Sequence, residues 1–181
     1  MTKFDKQCLL EVALYILNVT KGTDLYHLLK ILYFAEQKHL VKWGGRITSD
    51  DFRAYDYGPA ADNLYHAIRS NNKLDVELTE MLHEVVSFAG DDAPNILLAN
   101  READVNYLSK SEIECLDDSI KENANLSFNE LKEKSHDSAW HKAYHHKSDI
   151  MDSLSIAEAA GATDTMLEYI KEQNEIDAAL V

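Results

Sequence analysis

The chain has 181 residues, of which 45% are apolar and 28% charged, a globular balance that excludes a mainly disordered polymer. Its 18 Lys and Arg against 32 Asp and Glu leave a net charge of −14. That argues against binding to a nucleic-acid backbone or docking on an anionic membrane, and favours encounter with a basic partner. The two cysteines, Cys8 and Cys115, sit among apolar residues and read as reduced core thiols of a cytoplasmic protein. No signal peptide is read, because Glu11 interrupts the early apolar run, and no stretch is long enough to span a bilayer.

Helical periodicity dominates the chain. Phe4, Cys8, Leu9, Val12, Ala13, Ile16 and Leu17 recur at i, i+3, i+4 spacing and predict a first helix from about Phe4 to Val19. Gly22 and Thr23 break and restart the chain, with Thr23 as the expected N-cap. A second helix, about Asp24 to Lys42, carries Leu25, Leu28, Leu29, Leu32, Tyr33, Leu40 and Val41, so it belongs in the core and ends at Gly44 and Gly45. From Arg46 to Gly58 the pattern turns extended. Pro59 is expected at the first position of a third helix, running to about Asn71 and burying Leu64, Tyr65 and Ile68.

Between Asn72 and Asn106, Val76, Leu78 and Leu82 fit one helical face. The stretches His83 to Ala89 and Asn95 to Ala99 fit a small antiparallel hairpin around Gly90, Asp91 and Asp92. Ser109 with Glu112 and Ser127 with Glu130 are capping boxes, each flanked by a hydrophobic staple: Leu108 with Ile113, and Leu126 with Leu131. A helix over Trp140 to His146, a further box at Ser155 and Glu158, and a last helix from about Thr163 to Ala179 complete the pattern. The expected fold is mostly α (α+β), a multi-helix domain with a small antiparallel sheet or hairpin. Residues 1–150 are expected to form the domain. Residues 151–181 are expected to be a helical extension, packed on it or used to bind a partner.

Few residues look like reaction chemistry. His136, His141, His145 and His146 cluster, and His141 and His145 share a helix face at metal-ligand spacing. Lys142 stands where a zinc-protease motif needs Glu, so exposed histidines and a structural His136 are preferred over a metal-dependent enzyme built on residues 136–146. There is no G-x-S-x-G elbow, no phosphate-binding glycine loop and no electropositive setting for either cysteine. The pairs Asp50-Asp51 and Asp91-Asp92 are read as turn residues, and no cofactor is expected. Glu168, Glu172, Glu175 and Asp177 on the last helix form a solvated face or a contact surface for a basic partner.

One ordered series of motifs is more specific. Lys30-Ile31-Leu32-Tyr33-Phe34-Ala35 is followed by Gly45, Ile47, Asp51, Phe52, Ala54, Tyr55, Tyr57, Gly58 and Pro59. Then come Leu108-Ser109-Lys110-Ser111-Glu112, and Leu131, Ser135, His136, Ala139 and Trp140, with one residue fewer between His and Trp than the usual pattern. Over roughly residues 5 to 145 the chain resembles the Panacea antitoxin domain, also called SocA-like or GepA-like. The resemblance implies an antitoxin without enzymatic activity that binds a cognate protein toxin, usually encoded next door. One branch of the family instead delivers its toxin to a ClpXP-type protease. Gly45, Tyr55, Gly58 and Pro59 read as fold-fixing members of the motif. Arg53, Asp56, Tyr57, His136 and Trp140 are the candidate toxin contacts, since aromatic and Arg side chains are common binding anchors.

Overall fold

A computed structural model describes residues 1–70, 75–146 and 148–179. Its centre is the second helix, α2 (Leu25–Trp43), which follows α1 (Lys3–Thr20) and the two-residue strand β1 (Thr23–Asp24). Leu28, Ile31, Leu32, Tyr33, Ala35 and Leu40 of α2 are wholly buried. A helix apolar on nearly every side has to be surrounded. Around it pack α1, α5 (Lys110–Asn123), α6 (Phe128–Ser135), α8 (Ser153–Ala159) and the strand β3 (Gly58–Ala61). Each large aliphatic side chain removed from water this way contributes about 1.5–3 kcal/mol.

Two three-stranded antiparallel sheets flank this core among the described residues. In one, β5 (Ile96–Ala99) lies between β1 and β4 (Val86–Phe88), so the hairpin around Gly90 forms as expected. Its first part differs: His83, Glu84 and Val85 finish the helix α4 (Val76–Val85), which buries Leu78 and Leu82 and leaves Val76 exposed. In the other sheet, β2 (Phe52–Tyr55) lies between β3 and β6 (Ile150–Met151). The remaining elements are α3 (Asp62–Ile68), a 3-10 turn at Val105–Tyr107, α7 (Ser138–Tyr144) and α9 (Asp164–Ala179).

Both expected capping boxes form: Ser109 N donates to Glu112 at 2.6 Å and Ser127 N to Glu130 at 2.7 Å. A third, Thr2 with Asp5, opens α1 and was not anticipated. Four expectations are corrected. Asp24, not Thr23, caps α2, accepting from His27 N at 2.9 Å; it is the residue directly before the first helical position, Leu25, and Thr23 lies one place too early. Pro59 does not open a helix. It sits in β3 opposite Ala54, where an edge strand tolerates its missing N–H, and α3 starts three residues later. Ser155 is not a cap but lies inside α8, donating to the true cap, Asp152. The helix expected over Trp140 to His146 is α7, capped by Asp137, and it ends at Tyr144. The expected end of the third helix near Asn71 lies outside the described residues; α3 ends at Ile68. No described helix is long and apolar enough to cross a membrane.

Candidate functional site

Three of the motif segments, far apart in sequence, meet around one buried cation through Lys30, Gly58-Pro59 and Ser135. Lys30 is 2% exposed although it carries an ammonium group. It occupies the inner side of α2, where Leu29 and Ile31 are also buried. Its Nζ donates to the carbonyl of Pro59 at 2.6 Å and stands 4.8 Å from the centre of the Tyr26 ring. Burial pushes the lysine's pKa down to about 7. Gly58 makes this approach possible. Its φ is +96°, and a Cβ there would lie 2.5 Å from Ser135 Oγ and 3.1 Å from Lys30 Nζ.

A second junction joins α2 to α7. Tyr33 OH and Gln37 Nε2 both donate to Asp137 Oδ2 at 2.7 Å, and the other oxygen of Asp137 accepts from Trp140 N at 2.9 Å. Burial, reinforced by the Asp137 charge, holds the Tyr33 hydroxyl's pKa well above the ordinary tyrosine range. The His136 ring stacks on the Trp140 indole at 3.7 Å, nearly parallel, and Tyr144 stacks on the same indole at 4.5 Å. His136 closes α6 and Asp137 caps α7, so the stack bridges two helices rather than one. Desolvation, assisted by Lys132 and Lys30, lowers the His136 pKa, and its Nε2 is buried without a hydrogen-bond partner among the described residues.

The anticipated contact residues are therefore distributed unequally. Trp140 is 6% exposed and belongs to the interior. Arg53 is held between two carboxylates, with Nε 3.0 Å from Asp62 and Nη1 2.5 Å from Asp149, which ties β2 to α3 and to the residue before β6. Asp56 is exposed but accepts from Tyr144 OH at 3.0 Å. Tyr57 stands out at 60% exposure, beside Phe128 and under Lys132 Nζ. Among the fold-fixing residues, the Tyr55 hydroxyl donates to Asp62, and the Gly45 carbonyl lies 2.7 Å from His39 Nδ1.

The metal reading gains no geometry. His141 and His145 are exposed, and no group of three or more His, Cys, Asp or Glu among the described residues is placed to hold an ion. Burial raises the pKa of both Cys8 and Cys115, the opposite of thiol activation. Asp50 is not a surface turn residue. It is wholly buried and accepts from Asn63 N, Asn63 Nδ2 and Leu64 N at 2.8–3.0 Å, anchoring the start of α3.

The open feature near the motif is a cleft of about 800 Å³. The N-terminal part of α2, the β2–β3 hairpin, the end of α3 and the β4–β5 hairpin enclose it. Tyr26, Tyr55, Tyr57, Tyr65 and Phe88 supply its rings, and Lys30 and Arg69 its cations. Sequence reasoning missed Lys30 as a site residue. The signal was present: a lysine inside the run Leu28 to Ala35 has no solvated face to occupy.

The fold thus defines a mostly helical domain whose motif residues are largely internal and whose accessible chemistry is an aromatic cleft. The family model of the antitoxin SocA-like Panacea domain matches residues 28–141, more than half of the chain, and the protein belongs to that family. No curated protein and no solved structure matches it.

Proposed function

We propose that this protein is the antitoxin of a toxin–antitoxin pair and neutralises a cognate protein toxin by binding it directly in the cytoplasm. Family membership over residues 28–141 is the observation that carries this reading. The arrangement of the motif agrees with a binding role: Tyr57 projects from the hairpin while its neighbours hold the hairpin in place. A toxin encoded by the adjacent gene is the expected partner, and no metal or cofactor takes part. If that toxin is basic, the charge of −14 speeds encounter, and affinity falls as salt rises.

The test is growth rescue followed by pull-down. The neighbouring gene is expressed alone and together with this protein, and colonies are counted. Killing by the neighbour, rescue by this protein and co-purification of a stoichiometric complex are expected. A neighbour that is harmless, or that kills regardless, overturns the reading. Rescue that disappears in a strain lacking the ClpXP-type protease overturns direct neutralisation and makes the protein a delivery adaptor.

A further inference from the structure

The cleft is locally cationic on a strongly acidic protein. An ammonium has three N–H donors. Lys30 uses one on the Pro59 carbonyl, and no carboxylate pairs with it among the described residues. Arg69 lines the same cleft. It donates to the Tyr65 hydroxyl at 2.6 Å and lies over that ring, likewise without a carboxylate among the described residues. Lys132 stands above the Tyr57 ring at the cleft margin. The acidic residue of the lining, Asp24, is already committed: its two oxygens take His27 N at 2.9 Å and His27 Nδ1 at 2.7 Å.

A buried charge is costly unless it is paired. The pairing that this cleft lacks is an anion. Resting on the antitoxin reading, we propose that the cleft receives an acidic side chain of the toxin, carried on a segment with an apolar or aromatic neighbour, and that its carboxylate pairs with Lys30. Three observations favour a protein segment as the occupant. The cleft is open and broad, its walls are tyrosine and phenylalanine rings of the kind that anchor protein interfaces, and exposed Tyr57 extends it onto the surface. Long-range capture of a basic toxin and local pairing with one of its carboxylates are compatible, because they act at different distances.

The test uses the full-length protein and its toxin. Lys30→Met is expected to weaken toxin binding by about thirtyfold or more, the effect of removing one partner of a buried charge pair. An Asp→Asn and Glu→Gln scan of the toxin is expected to find one position that weakens binding to the wild type and has no further effect on Lys30→Met. A folded Lys30→Met protein with wild-type affinity overturns the proposal while leaving the antitoxin reading intact. Absence of any wild-type complex overturns that reading itself. Should Lys30→Met fail to fold, the wild type decides. The Lys30 13Cε resonance is titrated with pH in the free protein and in the complex. A midpoint that rises on toxin binding supports the ion pair, and an unchanged midpoint overturns it. Inorganic phosphate is the control ligand: if it moves the midpoint and the toxin does not, the cleft serves a phosphorylated ligand and the proposal fails.

Discussion

Trp140 Nε1 donates to the backbone carbonyl of Tyr55 across 2.9 Å, so an indole from α7 is fastened to the last residue of β2. Stacking with His136 and Tyr144 holds the indole in the plane this bond requires. Replacing it separates two contributions. Trp140→Phe keeps an aromatic surface but loses the donor, and is expected to cost about 0.5–1.5 kcal/mol beyond the reduction in ring size. Trp140→Ala also opens a cavity and is expected to cost about 3–5 kcal/mol. Urea unfolding followed by circular dichroism measures both. Equal losses for the two variants would show that the ring packing contributes nothing beyond the bond to Tyr55.

Gly58 is constrained twice, by backbone and by space. Its φ of +96° strains any other residue, and the Cβ of alanine would meet Ser135 Oγ at 2.5 Å. Gly58→Ala is expected to destabilise by about 1–3 kcal/mol from the backbone alone. Adding Ser135→Gly removes the closest collision but leaves the 3.1 Å approach of Lys30 Nζ and the dihedral strain, so the double variant is expected to recover only part of the loss. Full recovery would assign the whole effect to crowding.

The buried Lys30 gives stability a defined pH dependence. Its pKa is about 7 in the folded protein against 10.5 for the ordinary group, so between those values the unfolded chain holds more protons. This contribution to stability is greatest above pH 10.5 and is lost as pH falls towards 7, with a slope of at most about 1.4 kcal/mol per pH unit. Tyr26 titrates above most of this window, at about 12, and His136 is shifted downward, away from it. The advantage of Lys30→Met over the wild type is therefore expected to be largest near pH 7 and to shrink towards pH 10. A pH-independent difference between the two denaturation midpoints would contradict this.

The C-terminal thirty or so residues are not uniform. Met151, Ile156 and Ala157 are buried in the core, β6 pairs with β2, and α8 packs on α2 and α7. Beyond Gly161, the residue of α9 that is fully buried is Ile170, with Met166 and Leu167 partly covered. Ending the chain at Gly161 is expected to leave a cooperative thermal transition at lower temperature. Ending it at residue 149 is expected to abolish that transition. Melts of the two truncations by circular dichroism distinguish these outcomes.

Tyr57 is the exposed aromatic residue of the hairpin turn, and its ring rests on Phe128 and Lys132 without entering the core. Tyr57→Ala is expected to change stability by less than about 0.5 kcal/mol and to weaken toxin binding by about tenfold or more. Isothermal titration calorimetry with the purified toxin reads the second effect. Unchanged affinity would remove this turn from the contact surface.

The local signals were legible. Ser109 with Glu112 and Ser127 with Glu130 carry their whole instruction within four residues, and the structure executes both. Helices α1 and α2 followed from apolar spacing, and the β4–β5 hairpin from its Gly-Asp-Asp turn. What could not be read depends on partners distant in the chain. Pro59 carries a good local signal for a helix start, but pairing with β2 overrides it. Thr23 and Asp24 are both competent caps, and the β1–β5 pairing keeps both extended, so the helix starts at Leu25 and the cap falls to Asp24. Buried Glu11 is paired with Arg101, 90 positions away, and buried Glu36 with Arg46, pairings that no helical period encodes. The contact candidates suffered in the same way: residue type nominated Arg53 and Trp140, while Asp62 and Asp149 tie up the half-exposed Arg53 in ion pairs and the Tyr55 carbonyl holds Trp140 in the interior.

The middle strand of the β3–β2–β6 sheet awaits a neighbour that is made late. Arg53 in β2 meets Asp149, just before β6, 96 positions further along the chain. At ribosomal rates that interval lasts roughly 5–20 s, during which one edge of β2 is uncovered and Arg53 lacks its second carboxylate. The sheet that carries the hairpin presenting Tyr57 is therefore completed only once Ile150 and Met151 have been made. A translation product stalled before Asp149 would carry most of the helices and still leave one edge of this hairpin sheet unsupported.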